Sequence, residues 1–234
     1  MADAIDRQAV FGQTDTVAER IAPGHADEAE VEEHLSRYRW AAKHVAGKRV
    51  LDVACGVGYG ADVLRHAQAA SVASVDLSID ALRFGIDRYS VTPVCADANR
   101  TPWPDETFDV VVSLETIEHL PEPAVFLREV RRVLRSGGEL YVSCPNLALS
   151  KGMNPYHLSE MTREQLLGQL HAAGFDVEGV VGQHWEVLGG ALWKVKGVAR
   201  IARSLRRSPR VGAMPLPSSE AGVYCLRCRK KAEA

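Results

Sequence analysis

Asp52-Val53-Ala54-Cys55-Gly56-Val57-Gly58-Tyr59-Gly60 is the stretch on which the reading of this chain turns. The run before it, RVLDVA, has the unbroken apolar character of a strand buried on both faces, and the stretch after it, to Gln68, has helical spacing. Glycines at a strand-to-helix turn let the backbone bend sharply and let a ligand approach closely at the carboxyl edge of a sheet. Twenty residues past Gly56, Asp76 ends a second strand, SVASVDL, where a carboxylate can accept from a ribose diol. Gly56, Gly58 and Ala61 also satisfy the G-x-G-x-x-A dinucleotide pattern, so the turn alone leaves a nicotinamide or flavin enzyme open.

Outward from the turn the alternation continues. A helix is expected near Asp80 to Arg88, and short apolar runs at VTPVCADA, FDVVVSLE and ELYVSCPN read as further buried strands. The helix between the last two, Pro123 to Leu134, buries Phe126, Val130, Val133 and Leu134, and Gly137 and Gly138 are expected to end it. A βα alternation of this kind predicts a parallel sheet covered by helices, a doubly wound α/β fold. Beyond it, Thr162 and Gln165 form a capping box for a helix to Ala173, which Gly174 closes. The runs FDVEGVVGQHW and AGVYCLRC read as two last strands. Upstream, Val31, Leu35, Tyr38, Ala41, Ala42 and Val45 place one apolar stripe on a helix that precedes the first strand.

The length of 234 residues suits one α/β domain. Residues 1–30 read as a polar, acidic leader that closes over a site, and residues 31–234 as the domain, with a basic amphipathic helix inserted at about 190–215. In that insertion Leu192, Val195, Val198, Ile201, Ala202 and Leu205 form a stripe among lysines and arginines, a pattern that suits a solvated face, a phosphorylated or lipid-linked acceptor, or RNA. A net charge of −2 provides no global field for nucleic acid. The five cysteines are odd in number and lie mostly in apolar runs, which points to a reducing compartment. Cys225 and Cys228 make a C-x-x-C with no second pair to close a zinc site. The amino terminus lacks a signal-type apolar core, and no apolar run is long enough to span a bilayer, so a cytoplasmic protein is expected. Oligomeric state is not written in the sequence.

Two acids separate the cofactor readings. Asp52, on the strand just before the glycines, would repel a pyrophosphate and welcome a cationic amino acid moiety. Asp97, in CADA at the end of the third strand, is placed to accept the exocyclic amine of adenine. From Arg49 to Asn146 the chain resembles class I S-adenosylmethionine-dependent methyltransferases of the type 11 group. The resemblance rests on DVACGVGYG, VDLSIDAL, ADANRTPWPDETFDVVVS, LETIEHLPEP and FLREVRRVLRSGGELYVSCPN. It implies a Rossmann-like, mostly parallel seven-stranded sheet with an antiparallel last strand, the last two runs pairing as a hairpin at the sheet edge. It also implies S-adenosylmethionine as methyl donor. Asp52, Ala54, Gly56 and Gly58 would contact the methionine part, Asp76 with Leu77 the ribose and adenine, and Asp97 with Ala98 the adenine. Glu115 would lie beside the sulfonium. The helix EEHLSRYRWAA resembles a segment that precedes the domain in methyltransferases of cell-surface sugar and natural-product pathways, which makes Arg37 and Tyr38 candidates near the cofactor carboxylate.

Methyl transfer to oxygen or nitrogen gains mostly from positioning, with a base or metal to take the acceptor's proton. ETIEHL places Glu115, Glu118 and His119 within one turn, and NPYHLSEMT supplies His157. Glu118, His119 and His157 are therefore the catalytic candidates, and with Glu115 they could hold a divalent ion, Mg or Zn, that lowers the pKa of a bound hydroxyl. The pattern is similar to the small-RNA terminal 2′-O-methyltransferases, whose second motif Glu160 and Thr162 would complete. Glu118 and His119 acting as a base alone, or only capping a helix, remain alternatives. His34 and His44 read as surface groups. The function expected is methylation of a hydroxyl on a small polar acceptor, a sugar or natural-product intermediate, the alternatives being metal-dependent RNA 2′-O-methylation and a nicotinamide-dependent oxidoreductase.

Overall fold

The computed structural model describes residues 28–89, 91–183 and 221–232. The leader, residues 1–30, lies almost wholly outside the described residues, as does the basic helix expected at about 190–215.

The first described helix, α1 (Glu28–Ala42), leads into β1 (Arg49–Val53). The glycine turn then opens α2 (Tyr59–His66), and β2 (Ser71–Asp76), α3 (Ile79–Tyr89) and the short β3 (Pro93–Cys95) follow. After β4 (Phe108–Ser113) comes a single 3-10 turn, Ile117–His119, and then α4 (Pro123–Val133). Strand β5 (Leu134–Pro145) is followed by α5 (Leu147–Ser150), α6 (Arg163–Ala172), β6 (Phe175–Gln183) and β7 (Val223–Lys230). Seven strands form one sheet in the order β3-β2-β1-β4-β5-β7-β6. The pairs from β3 through β5 are parallel, whereas β7 runs antiparallel to both β5 and β6. The last two strands thus pair at the sheet edge as expected, with β7 inserted inside β6.

Alternation along the strands sorts side chains to two cores. Val50, Val110, Val112 and Tyr141 pack with Tyr38, Ala41 and Val45 of the α1 region and with Leu64 of α2. Leu51, Val53, Val111 and Val142 face the other way, onto Phe126, Leu127, Val130 and Val133 of α4 and Leu166 and Leu170 of α6. Helices therefore cover both faces, and each fully buried Phe or Leu adds about 1.5–3 kcal/mol of transfer free energy. The capping box of α6 is present, with Thr162 Oγ1 accepting from the Gln165 amide at 3.3 Å.

Gly137 and Gly138 do not end α4. The chain passes from Val133 directly into β5, and the glycines lie inside that strand, where the register against β4 jumps from Phe108↔Leu134 to Val110↔Glu139. Gly137 takes φ 69°, and a Cβ on Gly138 would stand 2.9 Å from the Arg135 carbonyl oxygen. A glycine pair after a helix thus serves here as a bulge, which imposes the same left-handed backbone as a helix stop. Cys225 and Cys228, an odd number of positions apart on β7, point to opposite faces, and burial pushes both thiols up to about 12. They behave as small hydrophobes.

Candidate active site

In an open α/β sheet the crevice for a ligand lies beyond the carboxyl ends of the strands where the strand order reverses. Here that point falls between β1 and β4. Just past both strand ends a residue with a β-carbon takes left-handed backbone, Ala54 at φ 57° and Glu115 at φ 51°. Such conformations are costly away from glycine and concentrate where function holds them. Gly56 and Gly58, at φ 57° and 85°, complete the turn that was read as a ligand cradle.

Asp76 holds the cradle in place. Its Oδ2 accepts from the Gly56 amide at 2.8 Å and its Oδ1 from the Ser78 amide at 2.8 Å. A carboxylate offers about four acceptor directions, and two backbone amides fix its plane. Leu77, beside it, is 71% exposed, an apolar plate at the rim. Asp97 and Ala98 follow β3, and Asp97 Oδ1 accepts from the amide and side chain of Asn99 at 2.8 and 3.1 Å.

Asp52 is fully buried on β1. Its Oδ1 accepts from the Tyr38 hydroxyl at 3.1 Å, and its Oδ2 has no hydrogen-bond partner. Burial, reinforced by the charge of Asp76 and opposed by the Tyr38 hydrogen bond, pushes its carboxyl up to about 8. An unpartnered buried carboxylate oxygen is expensive unless a cation meets it. Tyr38 reaches it by crossing Gly60, where a Cβ would fall 2.0 Å from the ring.

Glu115 and Arg37 face each other across the same end of the sheet. The Ser143 hydroxyl accepts from the Glu115 amide at 2.8 Å and donates to Glu115 Oε1 at 2.7 Å, pinning the left-handed residue. Arg37 is 3% exposed, with Nη2 3.8 Å from Glu115 Oε2 and Nη1 donating to Gln183, while its Nε has no partner. Gln183 also donates to the Glu33 carbonyl and the Ser36 hydroxyl, which docks α1 on the end of β6.

The acceptor side is built by the 3-10 turn and the loop after α5. Ser159 donates its amide to the Glu118 carbonyl at 2.8 Å and its hydroxyl to the Leu120 carbonyl at 2.7 Å, which latches one to the other. His119 and His157 meet edge to face, centroids 4.8 Å apart. Ligand-capable atoms of Glu118, His119 and His157 all lie within 4.8 Å of one another. Glu118 is fully buried with neither carboxylate oxygen partnered, and burial, then the charge of Glu115, holds its carboxyl far above the usual range. The fourth residue of the expected metal set, Glu115, is turned instead to Ser143 and Arg37.

Reading the residues in order missed Ser143, Gln183 and Gly85. Gly85, in α3, packs on the glycine turn so tightly that a Cβ there would lie 1.9 Å from the Val57 carbonyl oxygen. An isolated glycine inside a helical pattern was its signal. His34 is not a surface group: its Nδ1 lies 2.7 Å from the Tyr59 hydroxyl, and burial, with Arg37 nearby, lowers its pKa well below the usual value. His44, just past the end of α1, is half-buried and stacks on Tyr141 with ring centroids 5.7 Å apart.

Residues 51–142 match the family model described as a methyltransferase domain. A probable S-adenosylmethionine-dependent methyltransferase of Mycolicibacterium smegmatis is 37% identical over 171 residues, 70% of this chain and 66% of that protein. A fatty-acid O-methyltransferase of the same organism is 39% identical over 117 residues, 45% of this chain and 43% of that one. The chain thus spans less than two thirds of the length of either relative. Among solved structures, a Thermotoga maritima S-adenosylmethionine-dependent methyltransferase, a possible histamine N-methyltransferase, superposes with a TM-score of 0.67 at 19% identity, covering 87% of this chain and 91% of its own. At that identity the likeness concerns the fold.

Proposed function

The chain belongs to the class I S-adenosylmethionine-dependent methyltransferases, and on that premise we propose that it transfers a methyl group to a hydroxyl of a small acceptor, a sugar or natural-product intermediate that carries an apolar portion. The observation that carries the reading is Asp52, an acid sealed beside the glycine turn with one oxygen unpartnered. A dinucleotide would bring pyrophosphate there and be repelled, whereas the ammonium of a methionine moiety supplies the missing partner.

S-adenosylmethionine supplies an electrophilic methyl carbon on a sulfonium, whose carbon–sulfur bond breaks as the acceptor oxygen bonds to the methyl and the electron pair returns to sulfur. The protein's own groups position the partners for that displacement. Asp52 would take the ammonium, Arg37 would face the carboxylate, and Asp76 with Leu77 would receive ribose and adenine, while Asp97 and Ala98 would flank the adenine. Glu115, held by Ser143, supplies negative charge beside the sulfonium. The proton lost by the acceptor hydroxyl is taken up at the Glu118, His119 and His157 cluster.

Leu149, Met153, Tyr156 and Leu158 are exposed on α5 and the loop that carries His157, at 40%, 77%, 37% and 63%. They support an acceptor with an apolar part, as does the fatty-acid substrate in the name of one relative. A methyl-labelled donor incubated with hydroxylated lipids and glycosides, the matching amines and short RNA tests the proposal. Label in a hydroxyl acceptor is expected; label confined to amines or to RNA refutes it.

A further inference from the structure

We propose that Glu118, His119 and His157 form a three-residue site for a divalent transition ion of the zinc class. The inference rests on reading this cluster as the acceptor side of the pocket.

Glu118 supplies the first argument. It is fully buried, and neither oxygen has a hydrogen-bond partner, although buried carboxylates are ordinarily hydrogen-bonded, paired with a cation or bound to a metal. The imidazoles supply the second. His119 Nδ1 stands 3.1 Å from the Tyr156 carbonyl, which only accepts, so the proton lies on Nδ1 and the lone pair on Nε2. His157 Nδ1 meets Glu160, and Glu160 is in turn held by the Ser150 hydroxyl. A carbonyl behind one imidazole and a hydrogen-bonded carboxylate behind the other are the outer partners that orient metal-binding histidines. The Asn154 amide, 2.9 Å from His157 Nε2, must give way to an ion.

The ligand atoms already lie within 4.8 Å of one another. Around one zinc ion they would stand about 3.3 Å apart, so loading requires side-chain rotations of about 1 Å. Two nitrogens and one oxygen suit zinc or a neighbouring first-row ion, whereas magnesium prefers an oxygen shell. Three protein ligands leave a position open, where a bound acceptor hydroxyl would lose its proton more readily. The ion thereby links the loop after α5 to the turn after β4.

The test is metal binding by the whole chain without donor or acceptor, so that its failure and that of the methyl-transfer proposal stay distinct. The chelator-treated protein is titrated with zinc against a competing chelator, and with cobalt(II), read by its visible absorption. One ion per chain is expected. Glu118→Gln and His157→Ala should each weaken zinc by about 100-fold or more, and Glu160→Gln by about 10- to 100-fold. S-adenosylhomocysteine affinity within about twofold of the unsubstituted chain shows that each variant is folded. Zinc affinity unchanged in both ligand variants, or no stoichiometric uptake by the unsubstituted chain, overturns the proposal.

Discussion

Replacing Asp52 by Asn should stabilise the protein while crippling its use of the donor. Burial holds the Asp52 carboxyl at about 8, against 3.8 for an ordinary Asp. Between those values the folded chain keeps a proton that the unfolded chain releases, so this acid lowers stability as pH rises from about 3.8 to about 8. At pH 7 the difference spans about 3 pH units at about 1.4 kcal/mol each, roughly 4 kcal/mol at most. Asn is neutral at every pH, has the same shape, and its Oδ1 can still accept from Tyr38. Thermal melting at pH 7 should therefore rise by up to about 10 °C in the variant, and the gap should close as pH falls toward 4. Loss of the counter-charge should weaken S-adenosylmethionine by about 100-fold or more, because stranding one member of a buried ion pair costs about 3–5 kcal/mol. Melts across pH paired with calorimetric titration read both effects. A variant less stable at pH 7, a gap that ignores pH, or unchanged donor affinity would refute the reasoning.

Gly85→Ala puts a methyl against the Val57 carbonyl, so backbone must shift; it should cost about 1–3 kcal/mol in denaturant melts and weaken the donor by pushing the glycine turn outward. Asp76→Ala removes the acceptor for the Gly56 and Ser78 amides together with the ribose contact. Its donor affinity should drop by about 100-fold, and a drop under about threefold would show that Asp76 has no part in binding. His119→Gln should leave donor affinity nearly intact and slow turnover by about 100-fold, whereas the opposite pattern in steady-state kinetics would remove it from the chemistry.

Local chemistry explains what the sequence disclosed. The turn from Asp52 to Gly60, the capping box at Thr162 and the apolar runs of β1, β4 and β5 each carry their own signal, because backbone conformation and burial on both faces demand particular residues in a row. Contacts set by sheet order carry none. Ser143 reads as a polar interruption of an apolar strand until β5 lies beside β4 and brings it to Glu115; Gln183 reads as a strand end until β6 meets α1. Gly137 and Gly138 misled because a bulge and a helix stop ask for the same backbone. Asp52 was legible as an acid out of place, but its burial against Tyr38 depended on α1 crossing at Gly60. Glu118, His119 and His157 were legible as a group. That Glu115 is held by Ser143 and Arg37 depended on β5 lying beside β4, which no spacing rule gives.

A crystal structure with S-adenosylhomocysteine bound tests the whole scheme most directly. The amino group of the homocysteine part should lie about 3 Å from Asp52 Oδ2, with the ribose hydroxyls on Asp76. An amino group placed elsewhere, with Asp52 still unpartnered, would contradict it.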